Sequence, residues 1–144
     1  MEEEEQLAIV RRAFAAFTRR DADAFVALST DDVELVLATA ERTRGGAPYR
    51  GAEGVRAYLS DVAAVWRELR AIPQEFRTRD SVVLVLGRVY ARDFQGSLID
   101  SPAGWLWQLR DGRVAYSRVF DRPEAAVEAF HAGEPITPAG RPPG

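Results

Sequence analysis

SVVLVLGRVYARDFQGSLIDSPAGWLWQLRDGRVAYSRVF, residues 81–120, alternates in apolar runs broken by turn residues. Val82, Leu84, Leu86, Arg88, Tyr90 and Arg92 alternate with Val83, Val85, Val89 and Ala91, the period of a strand. Gln95-Gly96 and Asp111-Gly112 are turn dipeptides between apolar runs. The stretch therefore reads as three strands over 81–94, 97–109 and 113–120. A fourth, over 69–78, precedes them across a turn at Asp80. Pro73 and Pro102 fall inside two of these strands, which predicts edge positions or bulges there.

Upstream, the period changes. Leu7, Val10, Phe14 and Phe17 recur at helical spacing with Ala13 beside them. Glu2 to Glu5 lead this helix and Arg19 and Arg20 close it, as the helix dipole favours. Asp21 is placed to cap a short second helix carrying Phe25, Val26 and Leu28, which Asp31 and Asp32 are expected to end. A strand is predicted over 33–38 and a polar loop over 39–48. Gly51 to Gly54 open a third helix with Val55, Tyr58, Leu59, Val62 and Trp66 on one face. Downstream, Asp121 and Glu124 have capping-box spacing around Pro123, predicting a final helix. Helices segregated from a strand meander argue an α+β fold, with the helices on one face of the sheet. Residues 1–131 read as one domain. Residues 132–144 hold four of the eight prolines and read as a flexible Pro/Gly-rich tail.

Composition narrows the chemistry. The 144 residues are 47% hydrophobic and 28% charged, enough for a real core. No cysteine is present, which removes disulfides, thiolate metal sites and a cysteine nucleophile. His131 is the only histidine and is expected at the surface, so multi-histidine metal sites are excluded. The net charge of −3 argues against a nucleic-acid surface. All basic residues are arginine. No apolar run reaches the roughly 18–20 residues of a membrane span, and the acidic start is unlike a targeting signal. No metal or organic cofactor, no nucleic acid and no membrane contact is expected, and the location read is cytoplasmic.

Five phrases carry a family resemblance: Asp21-Ala22-Asp23-Ala24-Phe25, Thr30-Asp31-Asp32-Val33-Glu34, Tyr49-Arg50-Gly51-Ala52-Glu53-Gly54-Val55-Arg56, Trp107-Gln108-Leu109-Arg110-Asp111-Gly112-Arg113-Val114, and Phe120-Asp121-Arg122-Pro123-Glu124-Ala125-Ala126. In this order the chain resembles the SnoaL-like branch of the nuclear transport factor 2-like superfamily over about residues 6–130. The resemblance implies a cone, a curved antiparallel or mixed sheet wrapped around N-terminal helices. Its open end would be a ligand pocket and its outer sheet face a homodimer contact. It does not fix a function, because the superfamily hosts isomerases, cyclases, epoxide hydrolases, dehydratases and binding modules.

The family's chemistries can be tested position by position. The steroid-isomerase base falls on Leu37 and its two oxyanion donors on Ala13 and Trp105, so that mechanism lacks its residues. The epoxide-hydrolase arginine falls on Arg88, but its two aspartates fall on Tyr90 and Arg118. For a polyketide-type cyclase the nearest acid is Asp121, which also suits the helix cap.

The resemblance turns the Arg88 and Tyr90 face of its strand inward, with Trp105, Trp107, Tyr116 and Arg118 from the next two. Phe14 and Leu37 complete the expected wall. Arg88 and Arg118 would then grip a carboxylate, phenolate or enolate while the aromatics hold a flat body, and Tyr90 and Asp121 are the candidate catalytic groups. The alternative places the arginines in solvent or against Glu34, Asp100 or Asp121, since a buried unpaired charge costs several kcal/mol. The expectation is a protein that binds a small hydrophobic, anionic or phenolic molecule. The sequence leaves open whether it turns that molecule over, as a cofactor-free isomerase or cyclase, or acts as a non-catalytic binding or interaction module. An epoxide hydrolase with an altered site is a weaker alternative.

Overall fold

Six buried positions on one face of α1 (Glu3–Thr18) root the fold: Gln6, Ile9, Val10, Ala13, Phe14 and Ala16. Val10, Ala13 and Phe14 are positions of the predicted helical period, Leu7 and Phe17 of that period are half-buried, and Ile9, Ala16 and Gln6 join the buried set; the Gln6 side-chain amide donates to the Asp80 carbonyl at 2.8 Å. The computed structural model describes residues 2–36 and 48–133. The predicted loop over 39–48 therefore lies outside the described residues except for Pro48, as does the proposed tail beyond Gly133.

Asp21 caps α2 (Ala22–Ala27) as expected, accepting from the Ala24 amide at 3.0 Å. Asp31 and Asp32 do not end that helix. It closes at Leu28, where the Ser29 hydroxyl donates to the Phe25 carbonyl at 2.7 Å and the Val114 amide donates to the Leu28 carbonyl at 2.8 Å. The chain is thereby drawn alongside the sheet, and both aspartates fall within β1 (Ser29–Val36) on exposed positions. β2 (Tyr49–Arg50) is a short edge strand leading into α3 (Gly51–Val65). Gly51 takes φ +67°, a conformation that favours glycine, to turn the chain from strand to helix.

The meander follows as β3 (Trp66–Arg79), β4 (Val82–Asp93), β5 (Leu98–Arg110) and β6 (Arg113–Phe120), and α4 (Pro123–Ala132) closes the order. The sheet is curved, open and mixed, with strand order β2-β1-β6-β5-β4-β3. β1 pairs parallel with β6 and every other pair is antiparallel. Pro73 sits beside a register shift in β3, an edge strand, as predicted. Pro102 lies in β5 beyond Gly104, the last residue of β5 paired with β6 among the described residues.

Two cores result. The larger packs α1, α2 and α3 on one sheet face through Val10, Phe14, Phe25, Val55 and Leu59 against Val83, Val85, Trp105 and Trp107. The smaller lies on the other face, where Ala126, Ala129 and Phe130 of α4 cover Leu84, Leu106 and Phe120. The helices are thus not confined to one face. The capping box is also not formed. Arg122 is the N-cap residue, without a side-chain bond, Pro123 opens the helix, and Asp121 is exposed one residue upstream.

Candidate functional site

Residues directly opposite one another in a sheet share a face. Val85 stands opposite Trp105 and Val83 opposite Trp107. On the far side of β5, Trp105 meets Val119 and Trp107 meets Ser117. β3 adds Ala71 opposite Val89. These positions form the face turned toward α1–α3, and between them lies a partly open cavity of about 190 Å³. Its wall includes Phe14, Phe17, Phe25, Leu35, Val36, Tyr58, Val62, Trp66 and Leu69. All three tryptophans of the chain line it.

The aromatic wall is tightly cross-braced. The Phe14 ring meets Trp105 edge-on at 5.2 Å and Trp107 at 5.1 Å, and Phe25 lies 6.4 Å from Trp107. Phe17 stacks on Tyr58 at 5.6 Å, and the Tyr49 ring lies tilted against Tyr58 at 5.4 Å. The Tyr49 hydroxyl donates to Asp61 at 2.7 Å. Such ring pairs fix the wall geometry beyond simple area burial.

Polar groups on this wall are few and neutral. Tyr58 and Ser117 contribute hydroxyls, for which no hydrogen bond is formed among the described residues. Burial pushes the Tyr58 phenol well above its ordinary value, so it holds its proton and acts as a donor. The Trp107 indole Nε1 is buried and has no hydrogen-bond partner among the described residues. No charged side chain lines the cavity among the described residues.

Phe14, Trp105 and Trp107 therefore reach the cavity, as the sequence suggests. Arg88, Tyr90, Tyr116 and Arg118 do not. Arg88 and Tyr90 share the other face with Leu84, and Tyr116 and Arg118 stand opposite Gln108 and Leu106 there. Arg88 Nε donates to Asp100 Oδ1 at 2.9 Å, the alternative pairing the sequence allowed. Tyr90 lies beneath the Arg70 guanidinium, 4.8 Å from the ring centre, and Arg118 lies over Phe120 at 4.5 Å. Asp121 is exposed beside α4, away from the cavity wall. Leu37 lies outside the described residues. The physical reason for the correction is cost: two guanidinium groups in an apolar cavity would each need a partner, whereas the outer face supplies carboxylates and water.

The alternation reading missed Tyr58 and Ser117 as polar wall groups. Tyr58 is legible as part of the buried face of α3. Ser117 is not, because a bulge reverses its strand. Leu109 pairs with Val114 but Gln108 pairs with Tyr116, so Ala115 is an extra residue and the rest of β6 changes face.

One buried acid lies on the outer side. Glu34, opposite Tyr116 and Arg50, is 2% exposed. Its Oε1 is 3.5 Å from Arg50 Nε, and its Oε2 has no hydrogen-bond partner among the described residues. Burial raises its pKa above the ordinary 4.5; Arg50 opposes the rise and Asp32 adds to it. The folded state then binds this proton more tightly than the unfolded chain. The group's stabilising contribution is complete below 4.5 and is lost as pH climbs through the folded value. Glu34→Gln is expected to raise the melting temperature near neutral pH and to lose that advantage toward pH 4.5. Paired thermal melts of the two proteins across that window check it; an advantage that grows on acidification contradicts it.

Among the described residues, no cluster of acids and imidazoles is arranged to hold a metal ion, and no helix is long and apolar enough to cross a membrane.

The model of the SnoaL-like domain matches residues 10–117. No curated protein matches the chain. Among solved structures, a nuclear transport factor 2-like protein of unknown function from Burkholderia pseudomallei K96243 is similar with a TM-score of 0.75 and 22% identity. The match covers 89% of this chain and 97% of that one. TerC, co-crystallised with polyporic acid, follows at 0.74 and 23%, covering 89% and 96%. A Mycobacterium tuberculosis protein in complex with estradiol-17β-hemisuccinate is similar at 0.68 and 15%, covering 81% and 92%. At these identities the likeness is one of fold.

Proposed function

The chain belongs to the SnoaL-like domain family, and from that premise we propose that it binds a small hydrophobic molecule in the cavity between α1–α3 and the sheet. The observation that carries this reading is the wall itself: a partly open apolar cavity with three tryptophans, three phenylalanines and a tyrosine converging on it. Its volume of about 190 Å³ compares with the roughly 150 Å³ apolar cavity that admits benzene. Support also comes from two proteins of the same fold that hold small molecules in their crystals.

An anionic ligand would rest on Arg88 and Arg118, which stand on the other face. Binding is favoured over turnover by the wall chemistry. Proton transfer by an isomerase or cyclase needs a base within reach, and the described wall residues include no carboxylate and no imidazole. The chemistry open to this wall is hydrogen bonding from neutral donors to a ligand oxygen. We place a second copy of the chain on the outer sheet face. Ile72 and Leu98 are exposed there beside Arg88 and Arg92, with Glu68 and Asp100 as their ion-pair partners.

The test is titration with N-phenylnaphthylamine, a neutral dye whose emission rises in apolar surroundings. Saturable enhancement at one dye per chain is expected. No enhancement would overturn the reading.

A further inference from the structure

α1 lies along β3, the edge strand of the sheet, and polar side chains tie the two together at three levels. The Gln6 amide donates to the Asp80 carbonyl at 2.8 Å, Arg11 lies over the Phe76 ring at 4.7 Å, and Arg20 Nη2 donates to the Trp66 carbonyl at 3.2 Å. Between the last two levels the seam is apolar. Phe14 and Phe17 of α1 and Leu69 and Ala71 of β3 line the cavity there, and all but Phe14 are half-buried. No hydrogen bond or ion pair joins α1 to β3 in that interval among the described residues.

Arg20 is an unexpected residue for its place. It follows Arg19, the C-cap of α1; its amide donates to the Phe17 carbonyl at 3.0 Å, and the Asp21 amide donates to the Ala16 carbonyl at 2.9 Å. A helix closed by this pair of bonds needs a left-handed residue at that point, most often glycine. Gly133 fills that need at the end of α4, with φ +62°. Arg20 adopts φ +55° without that freedom. The other non-glycine residues at positive φ among the described residues are Asp80 and Asp111, of a type that tolerates it. What an arginine adds here, and glycine cannot, is the bond to Trp66.

Resting on the binding reading above, we propose that the ligand passes through the seam between α1 and β3, and that Arg20 is a strap across the end of that seam which sets the rate of passage. The strap joins α1, one turn beyond Phe17, to the corner where α3 gives way to β3, and Phe17 and Trp66 both line the cavity. Opening the seam breaks no strand pairing, because β3 is the last strand of the sheet and α1 meets it through side chains. A single solvent-exposed hydrogen bond is modest and reforms readily, as passage in both directions requires. Arg20 itself is not part of the cavity wall, so its loss lowers the barrier to entry and exit alike and leaves affinity unchanged.

Stopped-flow mixing with N-phenylnaphthylamine reads both rates. Arg20→Ala and Arg20→Gly are each expected to speed association and dissociation about fivefold, with the same Kd as the parent. Arg20→Gly is expected to melt close to the parent temperature, because glycine relieves the closing turn as the bond is lost; faster exchange in that variant therefore reports the strap and not a loosened fold. Arg56→Ala is the control. It removes the 2.6 Å contact between α3 and Asp23 of α2, a tie away from the seam, and is expected to leave both rates unchanged. Parent rates in both Arg20 variants overturn the inference and leave the binding reading intact. Equal acceleration in Arg56→Ala does the same, as does a weaker Kd with faster dissociation alone, which would make Arg20 a support for the bound ligand. No saturable enhancement in the parent protein overturns both.

Discussion

Trp107→Ala is expected to destabilise the protein by about 3–5 kcal/mol, the range for removing a large buried aromatic from a core. The side chain is 4% exposed and is braced by Phe14 and Phe25. Removing it leaves Phe14 with one partner in place of two and widens a cavity that is already present. The surrounding strands cannot close that gap, because Val83 on one side and Ser117 on the other are held in register by the sheet. Against a typical domain stability of about 5–15 kcal/mol this is a large fraction of the total. Denaturant unfolding measures it directly. A loss below about 1 kcal/mol would mean that the indole is a dispensable lining and not part of the core.

Gly87→Ala is expected to cost about 3 kcal/mol, at the upper end for overpacking. Its difficulty is space. A methyl group there would come within 2.0 Å of the Ile72 carbonyl oxygen and 3.0 Å of the Pro73 Cα. Those atoms are backbone at the β3 bulge, opposite Gly87 in the ladder, and cannot rotate away as a side chain could. Relief requires β3 to separate from β4. Ala71 and Leu69 of β3 line the cavity, so the same displacement is expected to weaken ligand binding. Thermal melts and dye titration of this variant check both effects; a variant as stable as the parent would show that the bulge yields freely.

The helices and the meander were legible because their signals are local. Asp21 caps α2 through its own side chain, and the period of α1 gives its buried face. The face of each strand was not local, and two irregularities reversed it. A two-residue turn at Gln95-Gly96 would put Phe94 opposite Ser97, and so Leu86 opposite Trp105. The hairpin instead closes with the Asp93 amide donating to the Ser97 carbonyl at 3.1 Å, and the Asp93 carboxylate takes the Gln95 and Ser97 amides at 2.9 Å each. The loop is three residues, with Gly96 at φ +92°. One residue of difference sets Val85 opposite Trp105 and turns Arg88 and Tyr90 outward.

The Ala115 bulge does the same to Tyr116 and Arg118. Regular pairing from the Asp111-Gly112 turn would put Tyr116 opposite Trp107. Alternation offered no check, since β4 is apolar on both faces: Val83 and Val85 serve the larger core, Leu84 and Leu86 the contact with α4. The position of Gly96 was the available clue, because a glycine third in a hairpin loop suits the three-residue form. Nothing local marked the β6 bulge. Asp121 failed as a cap for a simpler reason: the chain enters α4 one residue later, with Pro123 at the helix start.

The most direct measurement is the N-phenylnaphthylamine titration carried out on two further proteins. Ala71→Trp fills the cavity from β3, while Arg88→Ala with Arg118→Ala strips the opposite face of the sheet. Saturable enhancement is expected in the parent protein, unchanged affinity in the double arginine variant, and loss of enhancement in Ala71→Trp with the fold retained. Affinity that survives in Ala71→Trp but falls with the arginines would contradict the cavity site and place binding on the outer face.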